Sequence, residues 1–204
     1  MSPAESRSLS STPLIVIAAG GDGNRIGGDK PARLLGRRRL IDRMVDWATR
    51  HSDAVAVAVR EGDGSWDTGL PVLVDAHSGI GPISALVSSM HEAHRLRRKT
   101  ALLIGCDLPF LPDNLVHRLG AALGSRAVAL PFSEGRLHPM AGLWRCNSAA
   151  LERWIEGGGQ SLWRYSCEAG RVEVTWPDTP DPFANINDTA ALTAAEQRLK
   201  GEMR

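Results

Sequence analysis

The chain has 204 residues, which is enough for one domain with a substantial core and too few for two comfortable ones. Its 24 Lys and Arg residues nearly cancel its 23 Asp and Glu residues, so the overall charge argues against a broad nucleic-acid or membrane surface. Any anion that the protein binds is therefore expected to be bound locally. The cysteines lack the paired spacing of a zinc or disulfide framework, which suits a reducing compartment; they are Cys106, Cys146 and Cys167.

The beginning of the chain is polar and contains no apolar stretch that could serve as the core of a signal peptide. We expect residues 1–12 to form a disordered tail and residues 13–204 to form a single domain. The apolar run that follows, residues 14–19, is far shorter than the ~20 residues that a membrane helix needs. The sequence therefore predicts a soluble, cytoplasmic protein.

Short runs rich in Val, Ile, Leu and Ala alternate with longer amphipathic segments along the chain. This pattern is typical of parallel strands that are buried on both faces and joined by helices. It predicts strands at 14–19, 54–60, 72–74, 101–105, 127–131, 140–144 and 171–176. It predicts helices at 40–51, 82–96, 113–123, 147–155, 160–169 and 189–199. The expected fold is a three-layer, Rossmann-like α/β fold with a mostly parallel sheet, helices on both faces and some of the last strands antiparallel.

One connection is longer than the others: residues 20–39, between the first strand and the first helix, are glycine-rich and charged. Long loops inside compact domains are usually functional or disordered, and this one follows the strand end where α/β sheets bind ligands. Residues 18–30 contain five glycines together with Arg25 and Lys30. Glycines allow successive N–H groups to converge on an anion, and the two cations neutralise phosphate charge. The segment is therefore predicted to hold a triphosphate, with a flexible surface loop as the alternative.

Two familiar phosphate-binding motifs do not match this loop. A dinucleotide fingerprint that starts at Gly21 and Gly23 needs a third glycine where the chain has Ile26. A Walker loop needs Lys-Ser or Lys-Thr directly after its last glycine, and here Asp29 follows Gly28. Neither a dehydrogenase nor a Walker-type enzyme is therefore predicted.

Two aspartates follow predicted strands at the same edge of the sheet as the glycine-rich loop. Asp107 comes directly after the apolar run 102–106, and a carboxylate in that place can hold the magnesium ion that bridges triphosphate oxygens. Its alternative role is to cap the following turn. Asp75 follows the run 71–74 and leads into Gly81 and Pro82 at the start of a helix, whose amides could meet a ribose or an anion.

These motifs, in this order, resemble the molybdenum cofactor guanylyltransferases, the MobA family, within the nucleotidyltransferases of the nucleotide-diphospho-sugar transferase type. The resemblance extends over nearly all of residues 14–199. The matching pieces are Ala19-Gly-Gly with Arg25-Ile-Gly and Asp29-Lys30, Asp75 with Gly81-Pro82, Cys106-Asp107-Leu-Pro, His138-Pro139, and Asn185-Ile-Asn187.

The resemblance implies an enzyme that transfers GMP from GTP to the terminal phosphate of molybdopterin, with or without molybdenum, and releases pyrophosphate. It implies Mg²⁺ as the cofactor, with Mn²⁺ as an alternative, bound by Asp107. The implied nucleotide-binding residues are Ala18, Ala19, Gly20, Gly21, Lys30, Asp75 and Asp107, and the catalytic residues are Arg25, Lys30 and Asp107. The implied acceptor-binding residues are Gly81, Pro82, His138, Asn185 and Asn187. Proteins that deliver the cofactor or mature molybdoenzymes are the expected partners; nucleic acid and membranes are not.

The chain departs from the family's usual pattern at three positions. Ala18 stands where the family commonly has Leu. Near the end of the second strand the family often offers an Asn to the nucleotide, and residues 57–60 contain none. Ala85 follows Gly81-Pro82 where Gly is usual. These differences leave the base open, so the alternatives are a cytidylyltransferase or other nucleotidyltransferase of the same fold, or a non-catalytic nucleotide-binding relative.

Overall fold

The computed structural model describes residues 12–20, 30–63 and 66–202. The tail predicted at residues 1–12 lies outside this range except for Thr12, whose hydroxyl donates a hydrogen bond to Asp53 (3.0 Å). Whether residues 13–204 form one independent domain stays a prediction.

The described residues form one eight-stranded sheet, one small hairpin and six α-helices. The sheet strands are β1 (Leu14–Ala18), β4 (Val55–Val59), β5 (Val72–Val74), β6 (Thr100–Gly105), β7 (Val128–Ser133), β8 (Arg136–Leu137), β9 (Ala141–Arg145) and β10 (Arg171–Thr175). The hairpin strands are β2 (Leu34–Leu35) and β3 (Arg38–Arg39). The helices are α1 (Leu40–His51), α2 (Pro82–Arg95), α3 (Leu115–Leu123), α4 (Ser148–Glu156), α5 (Leu162–Ala169) and α6 (Thr189–Glu202), and a 3₁₀ turn spans Lys30–Ala32.

The strand order is β10-β7-β9-β6-β1-β4-β5, with β8 paired to β7. Strands β1, β4, β5 and β6 are parallel, and β10 is parallel to β7. Of the last long strands, β9 alone runs antiparallel to its neighbours β6 and β7. It does so because only a short β8 segment connects it to β7, and a parallel return needs a much longer crossover. The predicted strands are therefore present, while β2, β3 and β8 were missed because two residues carry no periodicity.

Alternate side chains of the central strands enter two separate cores, one on each face of the sheet. Ile15 and Ile17 of β1 pack with α1 and α3, whereas Leu14 and Val16 pack with α2, α4 and α5. Strand β4 follows the same rule, with valines on the first face and alanines on the second. The predicted three-layer arrangement is thus confirmed.

Helix α6 packs away from these two cores, against the β2–β3 hairpin. Leu35 and Leu40 from the hairpin region form a third core with Ile186 and with Ala195 of α6. Ile186 is 2% exposed, so the segment that precedes α6 is anchored beside the loop that contains Lys30. This packing brings residues 185–187 to the carboxyl edge of the sheet.

The described part of the chain contains no helix that is long and apolar enough to cross a membrane. The three cysteines are free thiols, and they differ in burial: Cys106 is buried, Cys146 is half-buried and Cys167 is exposed. Burial raises the pKa of Cys106 to about 12, and it raises that of Cys146 to about 11. These two thiols are therefore protonated near neutral pH and behave as small apolar side chains.

Replacing Leu119 of α3 with Ala should lower the free energy of unfolding by about 2–5 kcal/mol, because this side chain is fully buried and its removal leaves a cavity. Urea denaturation followed by circular dichroism measures the change. Leu34, which is 53% exposed, supplies the matched control, and Leu34→Ala should change the free energy by less than about 0.5 kcal/mol. Equal effects of the two substitutions would contradict the packing of α3.

Candidate active site

The candidate site lies at the edge of the sheet where β1, β4, β5 and β6 end. The turns that follow these strands are held together by main-chain hydrogen bonds. The N–H of Ala19 donates to the carbonyl of Ala58 (2.8 Å), and the N–H of Asp75 donates to the carbonyl of Val59 (2.9 Å). Parallel strands place their carboxyl ends together, which is where open α/β sheets bind ligands.

Lys30, Asp107 and Asn187 meet at this edge. The Lys30 Nζ donates to Asp107 Oδ2 and to Asn187 Oδ1, each at 2.6 Å, although the partners lie 77 and 157 residues away. The side chains of Lys30 and Asp107 are only 16% and 17% exposed. Because charge-assisted hydrogen bonds are short and strong where solvent is limited, the three side chains form one ordered polar cluster.

Close packing below Asp107 fixes the direction of its carboxylate. A Cβ atom on Gly105 would collide with Asp107 Oδ1, so only glycine leaves room for the carboxylate to fold back over the end of β6. The carbonyl of Asp107 also accepts a hydrogen bond from the N–H of Ile186 (3.0 Å). Since Ile186 points into the third core, its neighbours Asn185 and Asn187 are exposed on the other side, toward Asp107.

A cavity of about 400 Å³ opens beside the ends of β4 and β5. It is lined by Arg60, Glu61, Asp75, His77, Ser78, Gly79 and Gly81. Burial raises the pKa of Asp75 to about 6, although the nearby Arg60 guanidinium opposes this increase. Asp75 Oδ1 is buried and has no hydrogen-bond partner among the residues that the structure describes. An orphaned acceptor of this kind is available to a donor on a bound molecule.

Arg60 borders the same cavity and reaches toward the glycine-rich loop. A Cβ on Gly20 would lie 3.0 Å from the Arg60 Cγ and 3.6 Å from its Nε, so the arginine side chain passes directly beside Gly20. Arg60 therefore links the start of the loop to the Asp75 cavity.

A second cavity, of about 250 Å³, lies on the other side of Asp107. It is lined by Asp107, Leu108, Arg136, Leu137, His138, Pro139, Met140, Phe183 and Asn185. The His138 ring stacks on Phe183 with 4.9 Å between the ring centroids. Burial lowers the pKa of His138, so its imidazole is neutral near pH 7.

A buried hydrogen-bond chain determines which ring nitrogen of His138 carries the proton. Ser133 Oγ lies 2.7 Å from His138 Nε2 and 2.7 Å from Asp181 Oδ1. Burial alone would raise the pKa of Asp181, but hydrogen bonds from the Phe183 N–H, Ser133 and Arg136 hold it below its ordinary value, so Asp181 is an ionised acceptor. The single Ser133 proton therefore goes to Asp181, and Nε2 must donate to Ser133. With Nε2 as the donor, the neutral ring leaves Nδ1 as a hydrogen-bond acceptor.

Seven of the predicted site residues lie in three groups in the structure. Lys30, Asp107 and Asn187 are in direct contact, and His138 and Asn185 line the adjoining cavity. Asp75 and Gly81 line the other cavity, so Gly81 lies with the predicted nucleotide ligand rather than with His138.

The remaining predicted residues differ in what they can offer. The side chains of Ala18 and Ala19 are buried, so these residues can offer a ligand only their main-chain atoms, while Gly20 is exposed. Pro82 is exposed at the first position of α2 and lines neither cavity. Gly21 and Arg25 lie outside the described residues.

Sequence reasoning missed several side chains at the two cavities. Arg60 could have been found, because it is the last residue of a predicted strand that ends at this edge. Ser133 and Asp181 are 48 residues apart, and neither belongs to a recognisable motif. Arg136, which reaches Asp181 Oδ2 at 3.3 Å, lies in a two-residue strand that carries no pattern.

The chain is similar to known proteins of one family. The model of the MobA-like NTP transferase domain matches residues 15–172. The chain belongs to this family. A molybdenum cofactor guanylyltransferase of Acidiphilium cryptum (strain JF-5) is 37% identical, over 89% of this chain and 92% of that protein. The one of Rhodobacter capsulatus is 35% identical, over 91% of this chain and 95% of that protein. The predicted MobA-type family and the nucleotidyltransferase class are thus confirmed.

Solved structures show the same fold at low sequence identity. The molybdopterin-guanine dinucleotide biosynthesis protein A of Archaeoglobus fulgidus aligns with a TM-score of 0.78 and 18% identity, over 92% of this chain and 99% of that one. The 2-C-methyl-D-erythritol 4-phosphate cytidylyltransferase of Thermus thermophilus aligns with a TM-score of 0.67 and 16% identity, over 93% and 99%. The fold prediction, a sheet of the nucleotide-diphospho-sugar transferase type, is confirmed.

Asp75→Asn should raise the free energy of unfolding more at pH 8 than at pH 4. The difference between the two effects should be about 1 kcal/mol after allowance for solvent screening. The pKa of Asp75 in the folded state, about 6, lies above the ordinary value of 3.8. The folded state therefore holds this proton more tightly, and its stability falls as pH rises through that interval. Urea denaturation of both proteins at the two pH values measures the difference. An equal effect at pH 4 and pH 8 would contradict the buried, unpartnered carboxylate.

Ser133→Ala should abolish the protected Nε2–H signal of His138, because the acceptor that shields this proton is lost. Proton–nitrogen NMR of histidine-labelled protein detects the signal directly. Removing this buried hydrogen bond should also lower the free energy of unfolding by about 1 kcal/mol. Ser161→Ala removes the side chain that caps α5 at a similar expected cost, and it should leave the His138 signal intact. Persistence of the signal in Ser133→Ala would refute the hydrogen-bond chain.

Proposed function

We propose that this enzyme transfers GMP from GTP to the terminal phosphate of molybdopterin, with or without molybdenum, and releases pyrophosphate. The observation that carries the proposal is the cluster of Lys30, Asp107 and Asn187 between two cavities. A transferase of this kind needs one place for the nucleoside, one for the acceptor, and charged groups between them. Family membership supports the same reaction. In this proposal residues 13–204 act as one domain, and the cytoplasm is the compartment that the free cysteines suit.

The cavity beside Asp75 is proposed to hold the nucleoside. Its volume of about 400 Å³ falls within the range of small-ligand sites. Asp75 Oδ1 can accept a hydrogen bond from the base or the ribose, and Arg60 supplies donors on the same wall. The main chain of residues 18–20 would complete this pocket, while Gly21 and Arg25 are assigned to the phosphates on the motif alone.

The cavity beside His138 is proposed to receive the pterin acceptor. His138 Nδ1 presents a neutral acceptor, and Asn185 presents an amide that can both donate and accept. A pterin ring carries several N–H groups and ring acceptors, so this pair of side chains matches it. Arg136, which is exposed and only partly engaged by Asp181, offers a cation to the acceptor phosphate.

The Lys30 ammonium is proposed to neutralise phosphate charge during transfer. It has three N–H donors, of which Asp107 and Asn187 occupy two. The third donor can therefore bind a phosphate oxygen without breaking the cluster. The attacking phosphate monoester is already anionic near neutral pH, so no strong general base is required. Positioning and charge neutralisation then supply the rate enhancement.

A divalent cation fits this donor set as an ion that is shared between Asp107 and the nucleotide. No group of three His, Cys, Asp or Glu side chains converges within the described residues, so a cage made only of protein ligands is not indicated. Mg²⁺ is usually held by one or two carboxylates together with substrate phosphates, and Mn²⁺ is the expected alternative. When bound, the ion would offset negative charge on the triphosphate.

Lys30→Ala should reduce the rate of pyrophosphate release by about 10²–10³, the usual effect of removing one group that stabilises the transition-state charge. Lys200→Ala is the matched control, because Lys200 is exposed on α6 and its removal should leave the rate unchanged. An Asp107→Asn protein should lose activity or its dependence on Mg²⁺. Near-normal turnover of Lys30→Ala would refute this assignment.

Nucleotide preference tests the proposed substrate directly. We expect calorimetric titration of the wild-type protein with GTP, CTP and ATP, each with Mg²⁺, to show tightest binding of GTP. A preference for CTP would favour a cytidylyltransferase on the same fold. Binding without pyrophosphate release in the presence of molybdopterin would favour a non-catalytic relative.

A further inference from the structure

A strongly basic surface surrounds a cavity of about 860 Å³ at the opposite edge of the sheet. We define this basic surface by His94, Arg95, Arg97, Arg98, Lys99 and Arg145. It lies where α2 ends and β6 begins, and Thr100 of β6 pairs with Arg145 of β9. Five residue steps along β6 lead from Thr100 to Gly105 at the carboxyl edge, a distance of roughly 17 Å at the usual rise per residue.

Carboxylates neutralise only part of this charge. Arg95 pairs with Glu92 (2.6 Å), and Arg98 pairs with Asp53 (2.8 Å). Arg145 instead donates to the carbonyl oxygens of residues 124 (2.6 Å) and 126 (3.3 Å), which carry no formal charge. Arg97 and Lys99 are exposed, and neither side chain forms an ion pair within the described ranges of the chain. Three cations therefore remain uncompensated in a protein whose net charge is only +1.

The backbone at Arg97 does not favour arginine. Helix α2 ends in a Schellman motif: the Arg98 N–H donates to the Ala93 carbonyl (2.7 Å), and the Arg97 N–H donates to the His94 carbonyl (3.0 Å). Arg97 therefore adopts a left-handed conformation with φ of 56°, at the position where glycine is usual. The helix dipole is already complemented by His94 and Arg95 in the last turn. Neither capping nor the dipole accounts for a charged side chain at position 97.

A cleft of about 410 Å³ adjoins the basic surface and shares Arg145 with it; apolar and aromatic side chains form part of its wall, and Asn147, Arg153 and Glu168 form another part. Its walls include Met90, Trp154 and Tyr165, and Tyr165 is only 5% exposed. Trp144 and Tyr165 are buried and Trp154 is half-buried, so these rings expose little free face for a nucleic-acid base to stack on, whereas a cleft of this kind can take an apolar side chain. The neighbouring features thus favour a protein ligand over a nucleic acid.

We propose that the basic surface docks an acidic segment of another protein. Its carboxylates pair with Arg97, Lys99 and Arg145, and a bulky apolar side chain enters the adjoining cleft. Electrostatic complementarity of this type accelerates encounter and selects the partner. Because the two edges of the sheet are separate, the partner can remain bound while the Lys30 and Asp107 site is open to its ligands. The proposal does not depend on which nucleotide that site uses.

Fluorescence anisotropy with a labelled glutamate-rich peptide that contains one central tryptophan tests the docking surface. The variant is Arg97→Gly with Lys99→Ser, which removes two charges and relieves the left-handed backbone, so it should be at least as stable as the wild type in urea denaturation. The control is Arg37→Ser with Lys200→Ser, which removes the same charge from exposed positions remote from the surface. Both variants are compared in low and moderate salt.

We expect wild-type and control proteins to bind the peptide with an affinity that falls as salt increases, and the Arg97 and Lys99 variant to bind at least about tenfold more weakly. Replacing the peptide tryptophan with glycine should also weaken binding. The proposal is overturned by absence of peptide binding, by equal losses in the two variants, or by tighter binding of a single-stranded oligonucleotide of the same charge.

Discussion

The ion pair between Lys30 and Asp107 is the constraint on which the active edge depends. An ammonium and a carboxylate that are each less than one-fifth exposed must be paired and hydrogen-bonded, because isolated charges with so little solvent are costly. Asn187 supplies the additional acceptor. The three side chains come from the loop after β1, the turn after β6 and the segment before α6. The cluster therefore exists only when the sheet, the β2–β3 hairpin and α6 have all packed.

Two glycines lie where a larger residue would collide with a polar side chain at this edge. Gly105 leaves room for the Asp107 carboxylate, and Gly20 leaves room for Arg60. Ile186 does the opposite, because its burial in the third core fixes the direction in which both flanking asparagines point. Small residues at the strand ends and one apolar anchor thus orient the polar groups around Asp107, with a cavity on either side of it.

The two edges of the sheet carry different chemistry for one topological reason. Strands β1, β4, β5 and β6 are parallel, so the loops that follow them all lie at one edge of the sheet. The helices that lead into these strands end at the opposite edge. The polar cluster of Lys30, Asp107 and Asn187 occupies the first edge. Cations at the end of α2 and on β9 occupy the second. A partner at the second edge would leave the first one accessible.

The sequence by itself determined the alternation of strands and helices, and it placed Lys30, Asp75 and Asp107 as polar residues at the carboxyl edge of the sheet. Each of these features is local, because burial, periodicity and the residue after a strand can be read from neighbouring letters. Only the tertiary structure decided that Ser133 and Asp181 set the proton position on His138, and that Arg60 lies beside Gly20. It also decided that β9 runs antiparallel and that cations from α2 and β9 form one surface. Those arrangements join residues that are distant in the chain, and packing of the two cores, not any local pattern, brings them together.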